Sequence, residues 1–137
     1  MAANPPFPPT GLAPSLDDIA ALGEAALERL RPAFGQFIGN VPIRVQDFAD
    51  DETLQVMEIE NPFELMGLYH GRTLADEVAG HGGLPAMIFL YRRPILDYWC
   101  ETLEPLDRVV RHVLIHEIGH HFGLSDDDME RIEAATD

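Results

Sequence analysis

The chain of 137 residues contains no lysine, and Cys100 is its single cysteine. One thiol cannot form an internal disulfide bond and cannot build a thiolate zinc site by itself. No run of about 18 consecutive apolar residues occurs, so the sequence predicts no membrane-spanning helix. Without lysine the chain has nine basic residues against 24 acidic ones, a formal net charge of −15. This acidity disfavours binding to a phosphate backbone, so nucleic acid is not an expected partner.

The composition is that of one ordinary globular domain, with 46% apolar and 24% charged residues. Residues 1–14 are rich in proline and offer little that can be buried. They are predicted to form a flexible arm, followed by a single domain at residues 15–137. The first residues also lack the basic and apolar segments of a secretory signal, so the expected localisation is cytoplasmic.

Hydrophobic spacing predicts one helix, then strands, then two helices. A first helix is expected at residues 16–31, opened by a capping box at Ser15 and ended by Pro32. Apolar residues then alternate in short runs, which predict three or four strands at residues 41–45, 54–59, 65–70 and 87–91. The last run, MIFLY, is the most apolar, and we expect it to be buried on both faces and stopped by Arg92-Arg93-Pro94.

A helical period returns after Pro105 and continues to Ile118, with Gly123 placed where a C-terminal cap is expected. A short last helix follows, with Ser125 as its cap. This order of elements predicts an α+β fold rather than alternating βαβ units.

The long helix contains the sequence His116-Glu117-Ile118-Gly119-His120, an HExxH motif. Residues i and i+4 of a helix project from the same face, so both imidazoles can reach one ion. Glu117 is rotated by about 100° from His116, which places it beside the pair, toward the ion's water. Neutral imidazoles suit Zn²⁺, the cofactor that the motif predicts.

Gly123 and Asp126 extend the motif to HExxHxxGxxD. Glycine readily adopts a positive φ, so the chain can turn back and return Asp126 to the metal as a third ligand. Asp127 is the main rival for this role. Acidic residues are also favoured in the first turn of any helix, which would explain the run after Ser125 without a metal.

The segments HEIGHHFGLSDDDM, FELMGLYHG and LPAMIFLYRRPI resemble the minimal zincin-like metallopeptidases of bacteria. The resemblance implies a zincin-like α+β fold, in which a small mixed sheet of three to four strands packs on the HExxH helix, with an N-terminal and a short C-terminal helix. It implies metal ligands at His116, His120 and Asp126, and Glu117 as general base. The chain departs from larger metzincins because Asp126 replaces a third histidine, and Met129 follows too closely to form a conventional Met-turn.

Other polar residues have weaker signals. His112 lies one turn before His116, but it is about 12 Å from His120 along a helix, so one ion cannot use both. The pair that flanks Glu117 is therefore preferred. His121 lies outside the helix face that His116 and His120 share, and it is expected to pack or to cap the helix. Cys100 is expected to be a small packed residue. Three further residues are candidate donors to an oxyanion, with no spacing that selects among them: Tyr69, His70 and His81.

The leading hypothesis is zinc-dependent hydrolysis of a peptide or protein substrate, with an extended peptide paired to a strand edge. The alternative is a zinc-binding structural or regulatory interaction domain without turnover, and a third possibility is an interaction domain without metal. No membrane partner is expected, and a monomer is favoured.

Overall fold

The computed structural model describes residues 11–38, 41–71 and 86–137. Within these residues there are five helices and a three-stranded mixed sheet, which confirms the predicted α+β class. The helices are α1 (Leu16–Ile38), α2 (Asp51–Val56), α3 (Arg92–Thr102), α4 (Leu106–His121) and α5 (Asp126–Thr136). The strands are β1 (Ile43–Gln46), β2 (Gly67–His70) and β3 (Met87–Tyr91), and a 3-10 helix spans Pro62–Glu64. Most of the predicted proline-rich arm, residues 1–10, lies outside the described residues.

The sheet has the order β1-β3-β2, with β1 parallel and β2 antiparallel to β3. The central strand is therefore MIFLY, the most apolar run of the chain. Its two faces contact different clusters, as predicted. Ile88 and Leu90 belong to the main core, whereas Phe89 and Tyr91 pack in a smaller cluster with Leu65.

The main core lies between the sheet and two long helices, α1 and α4. Ile88 and Leu90 of the sheet are fully buried there, together with the following residues of the two helices: Ile19, Leu30, Phe34, Leu114, Ile115 and Ile118. Burial of each such side chain stabilises the fold by about 1.5–3 kcal/mol before entropy is subtracted. The HExxH helix α4 is thus packed against α1 and against strand β2 of the sheet.

Helix α1 begins at the predicted capping box, where the Asp18 N–H donates to Ser15 Oγ at 3.1 Å. The predicted end of this helix at Pro32 is wrong, because α1 continues to Ile38. Proline removes one helical hydrogen bond and disturbs the turn before it, at a cost of about 3 kcal/mol. The helix continues because Phe34, two residues after Pro32, is fully buried in the main core.

The strand predicted at residues 54–59 is wrong, because helix α2 begins at Asp51 and ends at Val56. Asp50 caps it, accepting a hydrogen bond from the Thr53 N–H at 2.7 Å. The alternation that suggested a strand is short. No residue of α2 is buried, so a local cap rather than a buried face decides its structure.

Helix α3 was not predicted. Strand β3 does stop at Tyr91, but Arg92-Arg93-Pro94 opens a helix there. Proline is tolerated in a first turn because the first four N–H groups have no partner within the helix. The expectation that Cys100 is packed is also wrong, since Cys100 is exposed. It follows the buried Ile95 by five residues, which places it about 140° around the helix.

No helix in the described part of the chain combines the length and apolar character that crossing a bilayer requires.

Candidate metal centre

Helices α4 and α5 form an antiparallel hairpin around the sequence motif. Gly123 turns the chain with φ +73°, which confirms the positive φ expected of it. Ser125 caps α5 by accepting from the Asp128 N–H at 3.1 Å. A side chain at Gly119 would lie 2.4 Å from the Met129 sulfur, so this glycine lets the two helices approach closely. The hairpin therefore returns the acidic side chains of α5 to the HExxH helix.

Three imidazoles follow one another along α4, with His116 in the middle. The ring centroids of His116 and His120 are 5.6 Å apart, with the rings at 79°. The His112 ring is nearer, with its centroid 4.2 Å from that of His116. His116 is half-buried, whereas His120 is exposed. The HExxH pair thus has the common face that its spacing predicts, and His112 extends that face by one turn.

A carboxylate of α5 meets this stripe of imidazoles at Glu133. Its Oε1 lies 2.9 Å from His112 Nδ1. Among the described residues, the group of three potential ligands whose donor atoms all lie within 4.8 Å of one another is His112, His116 and Glu133. His120 and Asp126 do not belong to that group. The predicted ligand set of His116, His120 and Asp126 therefore stays a prediction.

Sequence reasoning did not find Glu133. The i, i+4 spacing of His112 and His116 is a signal for a second ligand pair, equal to that of HExxH. Nothing in the sequence, however, joins the pair to a glutamate on the next helix. That pairing depends on the hairpin.

Glu117 points away from this stripe, toward the start of strand β2. A side chain at Gly67 would lie 2.7 Å from Val113 Cγ1 and 3.5 Å from Glu117 Cγ, so the strand comes very close to α4 at this point. Burial raises the pKa of Glu117 to about 7. Burial also raises the pKa of Tyr91 to about 12, and the charges of Asp50 and Glu117 add to that effect. A carboxyl group with a pKa near neutrality can both accept and release a proton under ordinary conditions.

The model of the zincin-like metallopeptidase family matches residues 38–136, from the end of α1 through α5. The chain belongs to this family. The match includes the whole sheet and the α4–α5 hairpin, so it covers both the fold and the HExxH motif. A search of the curated proteins finds no match.

The imidazole and carboxylate groups that α4 and α5 bring together are ligands suited to zinc. Burial lowers the pKa of His116, and the neighbouring His112 and His120 lower it further, while the charges of Glu133 and Asp126 act in the opposite direction. A lowered pKa keeps the imidazole neutral, which is the form that binds a metal. Imidazole and carboxylate donors are also the ligands that catalytic zinc sites use.

The burial of Glu117 predicts a pH-dependent effect of Glu117→Gln on the metal-free protein. The pKa of Glu117 is about 7 in the folded state and 4.5 in the unfolded state. Stability is therefore lost as pH rises from the lower value to the higher one. Since glutamine has no charge to bury, we expect the variant to be more stable than the wild type at about pH 8, by on the order of 3 kcal/mol.

Urea unfolding of both proteins, freed of metal beforehand, measures this difference. Near pH 4 the wild-type carboxyl is mostly protonated in both states, so the two proteins should unfold at nearly the same urea concentration. A gain in stability that is the same at both pH values would mean that charge burial is not its cause.

The candidate oxyanion donors have different surroundings. The Tyr69 ring is buried and packs on His121, with their centroids 4.1 Å apart, and on Phe122. This contact agrees with the expectation that His121 packs. His70 is exposed at the end of β2, and His81 lies outside the described residues. These surroundings do not select Tyr69, His70 or His81 as the oxyanion donor.

Strand β2 forms one edge of the sheet. The Tyr91 N–H donates to the Met66 carbonyl at 2.9 Å, which identifies Met66 and Tyr91 as a hydrogen-bonded pair. Because such pairs alternate along an antiparallel ladder, the main-chain groups of Gly67 and Tyr69 point away from β3. In the described part of the chain no strand pairs with this outer edge.

Proposed function

We propose that this chain is a zinc-dependent metallopeptidase that hydrolyses peptide bonds. The observation that carries the proposal is the position of Glu117. Glu117 is adjacent in the chain to the motif residue His116, and its half-buried side chain extends toward Gly67, the first residue of the edge strand β2. A peptide along that edge would therefore pass next to a group that can move a proton. Membership of the zincin-like metallopeptidase family supports the same reaction class.

The residues that would hold zinc are His116, His120 and Asp126. Asp127 remains the alternative third ligand, since both aspartates lie in the first turn of α5. When bound, zinc supplies Lewis-acid chemistry, polarising a peptide carbonyl and lowering the pKa of a water molecule.

Glu117 would act as the general base. Its carboxylate accepts a proton from the attacking water and later returns that proton to the nitrogen of the leaving amine. Burial raises the pKa of Glu117 to about 7 in the metal-free chain, and the charge of a bound Zn²⁺ would lower it toward the carboxylate form that accepts the proton. The stem of the side chain lies close to β2, since a Cβ at Gly67 would be 3.5 Å from Glu117 Cγ.

The substrate would bind as an extended peptide antiparallel or parallel to β2. The outward N–H and C=O groups of Gly67 and Tyr69 offer main-chain hydrogen bonds to it, as in other cases of strand addition. Such bonds do not depend on side-chain identity. The net charge of −15 favours neutral or basic peptides over acidic ones.

Digestion of a mixed library of unstructured peptides by the zinc-loaded full chain tests this function. We expect mass spectrometry to detect new peptide ends, whose formation stops when a chelator removes zinc and resumes when zinc is returned. Protein that binds zinc firmly and still cleaves nothing would instead be the structural or regulatory domain without turnover.

A further inference from the structure

The α4–α5 hairpin carries two acidic side chains on α5 whose spacing is close to that of two histidines on α4. Asp126 and Glu133 are seven residues apart, about 10.5 Å along α5, and His112 and His120 are about 12 Å apart along α4. Because the helices are antiparallel, Glu133 contacts His112, while Asp126 lies at the end of the hairpin that carries His120. His112, His116 and Glu133 thus bring two imidazoles and one carboxylate together. These are the same ligand types as in the predicted motif set of His116, His120 and Asp126, and the two sets share His116.

We propose that His112, His116 and Glu133 form a second site for a divalent cation, distinct from the motif site of His116, His120 and Asp126. The three ligand atoms already lie within 4.8 Å of one another. Ligands of a tetrahedral zinc ion lie about 3.4 Å apart, given metal–ligand bonds of about 2.1 Å. Small side-chain rotations are enough to close the site. Two imidazoles and one carboxylate suit Zn²⁺ and related transition metals better than Ca²⁺ or Mg²⁺.

The second site is open to solvent. The side chains of His112 and Glu133 are 38% and 30% exposed. Both line a cavity of about 380 Å³, whose wall also includes Glu130. An ion can therefore enter from this cavity, and a water molecule can complete its coordination there. The hydrogen bond between His112 and Glu133 holds two of the ligands together before the ion arrives.

The shared histidine makes the two sites competitors. A neutral imidazole has one nitrogen lone pair to offer, so His116 can serve one ion at a time. An ion in the second site leaves the motif site without its central ligand. The proposal concerns metal binding alone and stands independently of the proposed peptidase activity.

Zinc binding by the full-length double variant His120→Ala/Asp126→Ala tests this inference. That protein lacks two ligands of the motif site and keeps all three of the second site. In competition with a chromophoric chelator, we expect it to bind an equimolar amount of Zn²⁺. Adding Glu133→Gln should weaken that binding by at least about tenfold. The matched control is Glu101→Gln, which removes the same charge at an exposed position of α3 outside this cavity and should leave the affinity unchanged.

The inference is overturned if the double variant binds no Zn²⁺, or if Glu133→Gln and Glu101→Gln have the same effect on its affinity. Circular dichroism verifies that each variant is folded. If the Glu133→Gln protein is not folded, His112→Ala in the same background takes its place and should cause the same loss. Because peptide cleavage is not measured, a wild-type protein without peptidase activity would leave this result unaffected.

Discussion

Glu117→Gln is expected to lower kcat/KM for peptide cleavage by about 10²- to 10⁴-fold, the usual contribution of a general base. Glutamine matches the shape of the neutral glutamic acid, so it should fill the same half-buried space beside Gly67. It cannot accept the proton of the attacking water. Since Glu117 points away from the imidazole stripe, the variant should keep its zinc. Cleavage rates and zinc content, measured on the same samples, test both parts.

The matched control is Glu101→Gln, an equal loss of charge at an exposed position of α3. This variant should cleave at the wild-type rate. If Glu117→Gln also cleaves at that rate, Glu117 is not the base. A variant that loses both activity and zinc would instead show that Glu117 helps to hold the metal.

Asp126→Asn is expected to lower cleavage at limiting zinc by more than about 100-fold. Loss of a residue that merely orients a ligand already costs about 10- to 100-fold in metal affinity or activity, and Asp126 is proposed to bind the ion itself. An amide oxygen is a much weaker ligand for zinc than a carboxylate. Cleavage rates measured at an equimolar amount of zinc test this prediction.

Asp127→Asn is the matched comparison for that experiment. Both aspartates lie in the first turn of α5, so each substitution loses a similar interaction with the helix dipole, about 0.3–1 kcal/mol. A difference between the two variants therefore reports on ligation rather than on helix stability. If Asp127→Asn is the inactive variant, Asp127 is the third ligand. If both remain active, the third ligand is a different residue.

Features that depend on neighbouring residues in the chain could be predicted from the sequence. The helical period after Pro105, the apolar run of β3, the cap at Ser125 and the positive φ of Gly123 all arise from local spacing or backbone preference. The strand predicted at residues 54–59 failed for a local reason, the helix cap at Asp50. The predicted end of α1 failed because tertiary burial outweighed a local rule. Phe34 is buried two residues after Pro32, and α1 therefore passes through the proline.

The HExxH spacing alone determined that two imidazoles share a helix face and that a glutamate stands beside them, because the geometry of an α-helix is the same in every protein. Only the tertiary structure decided what surrounds them. The absence of a side chain at Gly67 brings β2 against Glu117 and buries its carboxyl, which raises its pKa. The return of α5 brings Glu133 to His112 across 21 residues of chain. Contacts of this kind depend on how helices and strands pack, which no local pattern in the sequence specifies.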